Sequence, residues 1–204
     1  MRKSLLALLL AIVSFIPVYA ATNDWSAVIK KVEKALVYIE IDGSGCSGFV
    51  VDTTRKYVQT AAHCDDEHFW VDRVGAKVIS KDSQKDLMIL EVKDLDPARE
   101  ALKLAAGDPD IGQEVMSAGY GYALERPFFR KAMVSDNAVM IPEGGIGGPF
   151  IGVDSGFIGG QSGGPVVDIN GDVVSIVQRA SDKLGIGVGA SVIRARMGRF
   201  WAQK

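Results

Sequence analysis

Thr60-Ala61-Ala62-His63-Cys64 and, much later, Gly159-Gly160-Gln161-Ser162-Gly163-Gly164-Pro165-Val166 are the segments on which the architecture of this chain turns. A serine hydroxyl is a weak nucleophile at neutral pH and needs a base within hydrogen-bond reach to take its proton. His63 is one of only two imidazoles available. The glycines beside Ser162 leave backbone N–H groups uncovered, the type of donor that stabilises a developing oxyanion.

Around these segments the hydrophobic period is mostly that of short strands. Residues 37–41, 48–51, 57–60, 74–79 and 87–92 are rich in Val, Ile, Leu and aromatics and are separated by Gly, Asp, Ser and Lys. A second series covers 114–120, 130–134, 138–141, 150–153, 165–167, 173–178 and 185–190, with Asn170-Gly171 marking a tight hairpin turn. Between the two series, residues 93–112 hold charge, two prolines and little alternation, which suits a crossing between halves. Helical spacing is confined to residues 24–36, with Asp24 or Ser26 as cap, and to the end of the chain after Ala190.

The first twenty residues begin with Arg2 and Lys3, continue through an apolar run, and close on Val18-Tyr19-Ala20. This is the pattern of a cleaved secretory signal, and Ser14 and Pro17 interrupt the run too early for a bilayer span. The expected location is secreted or periplasmic, with no membrane attachment after cleavage. The formal net charge is -2, and removing Arg2 and Lys3 makes the remainder more acidic, which gives no reason to expect nucleic acid as a partner.

Taken together and in this order, the two opening segments resemble the chymotrypsin-like serine peptidases, whose histidine lies in TAAHC and whose serine lies in GxSGGP. The resemblance implies an all-β, trypsin-like fold of two antiparallel six-stranded β-barrels with a short N-terminal helix and a C-terminal helix. The corresponding division is a signal peptide at 1–20, an N-terminal barrel at about 37–93, a linker at about 94–112, a C-terminal barrel at about 113–190 and a helix at about 190–202. The serine region is also similar to the HtrA family, and the expectation is a member without that family's appended peptide-binding domain. An oxidising destination makes a disulfide between Cys46 and Cys64 the natural expectation, and the family uses the same pairing; two free buried thiols are the alternative.

The resemblance also assigns roles. Asp86, heading the apolar run Leu87 to Val92, is similar to the carboxylate that orients the histidine, with Asp82 as near competitor. The catalytic set is then His63, Asp86 and Ser162, with the backbone N–H groups of Gly160 and Ser162 as oxyanion donors. Gly160-Gln161-Ser162-Gly163-Gly164 also satisfies the G-x-S-x-G elbow of α/β-hydrolases, but that fold places its histidine after the serine, and none follows Ser162. Ser175, Ile176 and Val177 resemble the strand that pairs with an extended peptide substrate, while Gly156, Phe157 and Ile158 wall the specificity pocket. Gly156 stands where a trypsin carries an aspartate, so a small or medium apolar side chain is expected at the cleaved residue. Gln161 replaces the aspartate that receives a new N-terminus in the animal digestive members, which implies activity without processing beyond signal removal.

The expected function is therefore a serine endopeptidase acting on polypeptides as a monomer. The alternative is a catalytically impaired trypsin-fold protein that binds extended peptides. No cofactor is expected and no metal: Cys64, Asp65, Asp66, Glu67 and His68 are too crowded along the chain to face one ion. Gly144-Gly145-Ile146-Gly147-Gly148 lacks the Lys-Ser or Lys-Thr of a phosphate loop and suits a loop near the active site. Asp154 resembles a structural aspartate.

Overall fold

The computed structural model describes residues 24–41, 44–122, 124, 126–141, 148–179 and 183–202. The expected signal segment and most of the glycine-rich loop at 144–148 lie outside these residues. Helix α1 (Ser26–Ala35) leads into strands β1 (Leu36–Ile41), β2 (Ser44–Asp52), β3 (Tyr57–Thr60), β4 (Phe69–Val71), β5 (Val74–Asp82) and β6 (Leu87–Val92). These close into one antiparallel barrel in the order β1-β2-β3-β6-β5-β4. A second barrel, in the order β10-β11-β12-β9-β8-β7, is built from β7 (Glu114–Tyr120), β8 (Pro127–Val139), β9 (Phe150–Val153), β10 (Pro165–Val167), β11 (Val173–Arg179) and β12 (Gly185–Gly189). Helix α2 (Ala190–Met197) continues directly from β12.

The strands are apolar on both faces because each face has a core to fill. Val37, Ile39, Val50, Val58, Met88 and Leu90 fill the first barrel, and Val115, Val134, Ile151, Val166 and Val174 the second. The opposite faces, with Leu36, Phe49, Leu87 and Ile89 on one side and Met116, Ala118, Val167 and Ile176 on the other, meet in a third cluster. Both helices pack onto that cluster through Val28, Val32, Ile193 and Met197. A run such as Leu87 to Leu90 is therefore buried without alternation, which is how a strand covered on both sides reads in sequence. Each fully buried side chain of this kind contributes roughly 1.5–3 kcal/mol.

Two details depart from the expected strand series. Phe69–Val71 is a strand of three residues, too short to carry a period among its charged neighbours. Residues 130–134 and 138–141 belong largely to one strand, β8, whose pairing with β9 shifts register twice around Asp136. The polar Ser135-Asp136-Asn137 stretch marks those irregularities rather than a turn.

The crossing segment is stitched to both barrels. Leu102 donates its N–H to Val50 of the first barrel, while Ala105 and Lys103 exchange backbone hydrogen bonds with Val173 of the second. Helix α1 starts beside Trp25, and the Asp24 carboxylate accepts the Ser26 N–H at 2.9 Å. Among the described residues, no helix is long and apolar enough to cross a membrane.

Candidate active site

Three short connections converge on the seam between the barrels. The first is the 3-10 turn Ala62–Cys64 that ends β3 and carries His63. The second is the turn before β6, where Asp86 sits at φ +55°. Asp86 is buried, whereas the His63 side chain is 44% exposed, so one ring edge is held inside and the other faces solvent.

The Asp86 carboxylate grips His63 twice. One oxygen accepts the His63 backbone N–H at 2.7 Å, and the other lies 2.7 Å from Nδ1. A carboxylate facing Nδ1 places the ring proton there and leaves the Nε2 lone pair free. The competitor Asp82 is engaged elsewhere: it accepts the Lys85 N–H at 3.0 Å and lies 3.6 Å from Arg196 Nε.

The third connection is the loop that carries Ser162. Gly163, at φ +81°, lies against the segment leading to His63: a Cβ built on it would collide with Thr60 Oγ1 and fall 2.7 Å from Ala61 N. The Ser162 carbonyl accepts the Ser47 N–H at 2.8 Å and lies 3.9 Å from Cys64 Sγ. The backbone of the serine is thus seated on the histidine turn. Among the described residues no hydrogen bond joins Ser162 Oγ to the His63 ring, a looseness common in unliganded sites. Cys46 and Cys64 form a disulfide that fastens β2 to the histidine turn. His63 and both sulfurs lie within 4.8 Å of one another, but sulfurs bonded to each other offer no thiolate to an ion.

Upstream of Ser162, residues 158–161 form a turn closed twice at Gln161: its N–H donates to Ile158 O at 3.1 Å, and its Oε1 accepts the Ile158 N–H at 3.0 Å. Gly160 takes φ +96° and packs so tightly that a Cβ would meet Tyr120 O at 2.7 Å, which fits the third position of a type II turn. The Gly159 carbonyl accepts the Tyr122 N–H at 3.1 Å. Among the described residues the N–H groups of Gly160 and Ser162 have no acceptor.

The strand expected to pair with a peptide is largely taken up by its own neighbours. Ser175 and Ile176 are bonded on both sides, to Val166 and Pro165 of β10 and to Gly189 and Val188 of β12. Val177 exchanges backbone hydrogen bonds with Gly163 and Gly164 and pairs with Gly187. Among the described residues, Gln178 and Arg179, at and beyond the register shift with β12, carry no backbone hydrogen bond to the serine loop, and the buried Gln178 side-chain amide has neither its N nor its O partnered. The expected pocket walls also divide. Gly156 is buried and its carbonyl accepts Arg130 Nη1 at 2.7 Å; Phe157 belongs to the second barrel's core; Ile158 packs on Gly121.

The remaining motifs are absorbed locally. Asp65 pairs with Lys81, and His68 stacks on Trp70 with ring centroids 5.9 Å apart. Asp154 accepts the Met133 N–H at 2.7 Å, a structural contact between β8 and the segment after β9.

Residues 46–176 match the family described as the trypsin-like peptidase domain. The chain superposes on the active form of the Rv3671c protease of Mycobacterium tuberculosis with a TM-score of 0.74 and 24% identity, covering 87% of this chain and 85% of that one. The inactive form of the same protease gives 0.72 and 25% identity over 86% and 93% of the two chains. The serine endoprotease of Yersinia pestis gives 0.71 and 19% over 86% of this chain and 65% of that one. No curated protein sequence matches. The matched span runs from the disulfide half-cystine in β2, through the histidine and serine connections, to the middle of β11, and on that ground the chain belongs to the trypsin-like peptidase domain family.

Proposed function

We propose that this chain is a serine endopeptidase that hydrolyses extended polypeptides through an acyl-enzyme on Ser162. The observation that carries the reading is the double hold of buried Asp86 on His63, through the backbone N–H and Nδ1, which supports an imidazole with Nε2 left free. His63 takes the proton of Ser162 Oγ as the oxygen attacks the peptide carbonyl carbon. The negative oxygen of the tetrahedral intermediate is received by the N–H groups of Gly160 and Ser162. His63 then gives its proton to the departing amine, and the ester left on Ser162 is cleaved by a water that His63 deprotonates in turn.

The substrate backbone joins β11 at Gln178 and Arg179 as an added strand. Gly156 brings no carboxylate to the pocket base, which supports a small or medium apolar cleaved residue over Lys or Arg. A substrate library dominated by Glu or Asp would overturn that preference and point instead to the Arg130 guanidinium behind Gly156. A disulfide and the N-terminal segment support export to the periplasm or the medium, where the enzyme acts as a monomer.

One other reading fits the same fold, a peptide-binding protein with impaired catalysis. A fluorophosphonate probe separates the two. Labelling of the parent and not of Ser162→Ala establishes the activated serine; a folded parent that stays unlabelled supports the binder.

A further inference from the structure

We propose that Ser47 is the positioning residue of the oxyanion hole, an inference that rests on the peptidase reading. Ser47 lies in β2 of the first barrel, whereas Gly160 and Ser162 lie on the loop between β9 and β10 of the second. It is 0% exposed. Its Oγ accepts the Tyr120 N–H at 2.8 Å and donates to the Gly160 carbonyl at 2.8 Å. Its backbone N–H donates to the Ser162 carbonyl at 2.8 Å. The two residues whose N–H groups receive the substrate oxygen are therefore the two whose carbonyls Ser47 holds.

A serine hydroxyl has one proton, and here the lone pair and the proton point in fixed directions, from Tyr120 N–H through Oγ–H to Gly160 C=O. The peptide between Gly160 and Gln161 is thereby pinned at both ends, its carbonyl by Ser47 and its N–H by Ile158 O. The preceding peptide, which carries the Gly160 donor, rests its carbonyl on Tyr122, two residues beyond the other partner of Ser47 Oγ. One buried residue thus holds both donor segments, its backbone N–H the Ser162 carbonyl and its hydroxyl the Gly160 carbonyl, and the hydroxyl fixes the frame on which the first donor turns. Oxyanion donors act only when they sit where the oxygen will be in the transition state, so a hole assembled this way depends on the opposite barrel for its geometry. Ser47 touches no substrate atom, and its effect falls on the step in which negative charge develops.

The test compares the parent with Ser47→Ala and Ser47→Gly, both of which remove the hydroxyl and keep the backbone N–H, and with Ser47→Thr, which keeps the hydroxyl. Rates are normalised to the folded fraction measured by circular dichroism, so either hydroxyl-free variant suffices. We expect kcat, the rate of fluorophosphonate labelling and the affinity for a peptidyl boronic acid to fall together by about ten- to hundredfold. KM and the affinity for a product peptide should stay within about threefold of the parent, as should every parameter of Ser47→Thr. A structural role alone would lower the melting temperature and leave the boronate-to-product affinity ratio unchanged. Folded hydroxyl-free variants that label and turn over at the parental rate overturn the role of Ser47 alone. A parent that does not label removes this role together with the peptidase reading.

Discussion

Asp86 occupies a conformation that asparagine and aspartate tolerate better than other residues, at φ +55°, and spends both oxygens on His63. Asp86→Asn keeps the shape and the backbone contact but offers an amide N–H to one of the two positions, which favours the wrong ring tautomer. We expect kcat to fall by about 10⁴ with KM changed little, read from steady-state hydrolysis of a peptide substrate. Neighbouring glycines give a sharper contrast. Gly159 has ordinary φ and nothing within 4 Å of a Cβ position, whereas Gly163 is left-handed and pressed against Thr60, Ser47 and Ala61. Gly159→Ala should fold at the parental melting temperature, and Gly163→Ala should lose fluorophosphonate labelling. The pairing of Asp86 with His63 and the approach of the Ser162 loop to the histidine turn can be anticipated from the chain because their segments keep their identity in any register. The contacts of Ser47 cannot: a serine between Cys46 and Gly48 in a strand gives no sign that its partners, Gly160 and Tyr120, stand on another barrel.

Among the elements, β11 shows most plainly where sequence reasoning stops. Its limits are close to those the apolar run suggests, yet which of its residues has a free edge depends on how many rungs β10 and the serine loop occupy. Its pairing with β10 shifts register between Val166 and Val167, and its pairing with β12 shifts between Val177 and Arg179. Irregularities of this kind are set by nonlocal pairing and leave no local period. At the end of β2, the Asp52 carboxylate is buried, which alone would raise its pKa; the backbone and guanidinium hydrogen bonds of Arg55 outweigh burial and hold it below the usual carboxylate value. Arg55 also donates to the carbonyls of Arg199 and Trp201 and so ties β2 to the segment after α2. A carboxyl that ionises at lower pH in the folded than in the unfolded chain stabilises fully above its unfolded pKa and loses that contribution as pH falls through the folded one. Asp52→Asn should therefore cost about 1–2 kcal/mol in urea unfolding at pH 7, and the gap should narrow below about pH 4.

At the scale of the molecule, the largest apolar cluster belongs to neither barrel. Phe49 and Leu87 from one, Met116 and Ile176 from the other, and Val32 and Trp201 from the terminal helical segments share it. Trp201 packs edge-to-face on Phe49 with centroids 5.7 Å apart. Neither half can lose its partner without exposing this surface, so urea unfolding followed by tryptophan fluorescence and by circular dichroism should give one coincident transition. Trp201→Ala should shift that transition by about 3–5 kcal/mol without splitting it; two separated transitions would contradict a shared core.

The segment that crosses between the barrels is held at Leu102 by Val50 and at Lys103 and Ala105 by Val173, while Gly107, just beyond, is exposed and has nothing within 4 Å of where a Cβ would stand. Continuity of the main chain at that point is therefore expected to be dispensable for assembly. A preparation nicked beside Gly107 by a processing enzyme, or expressed as two fragments meeting there, should travel as one particle through gel filtration and come apart only in denaturant.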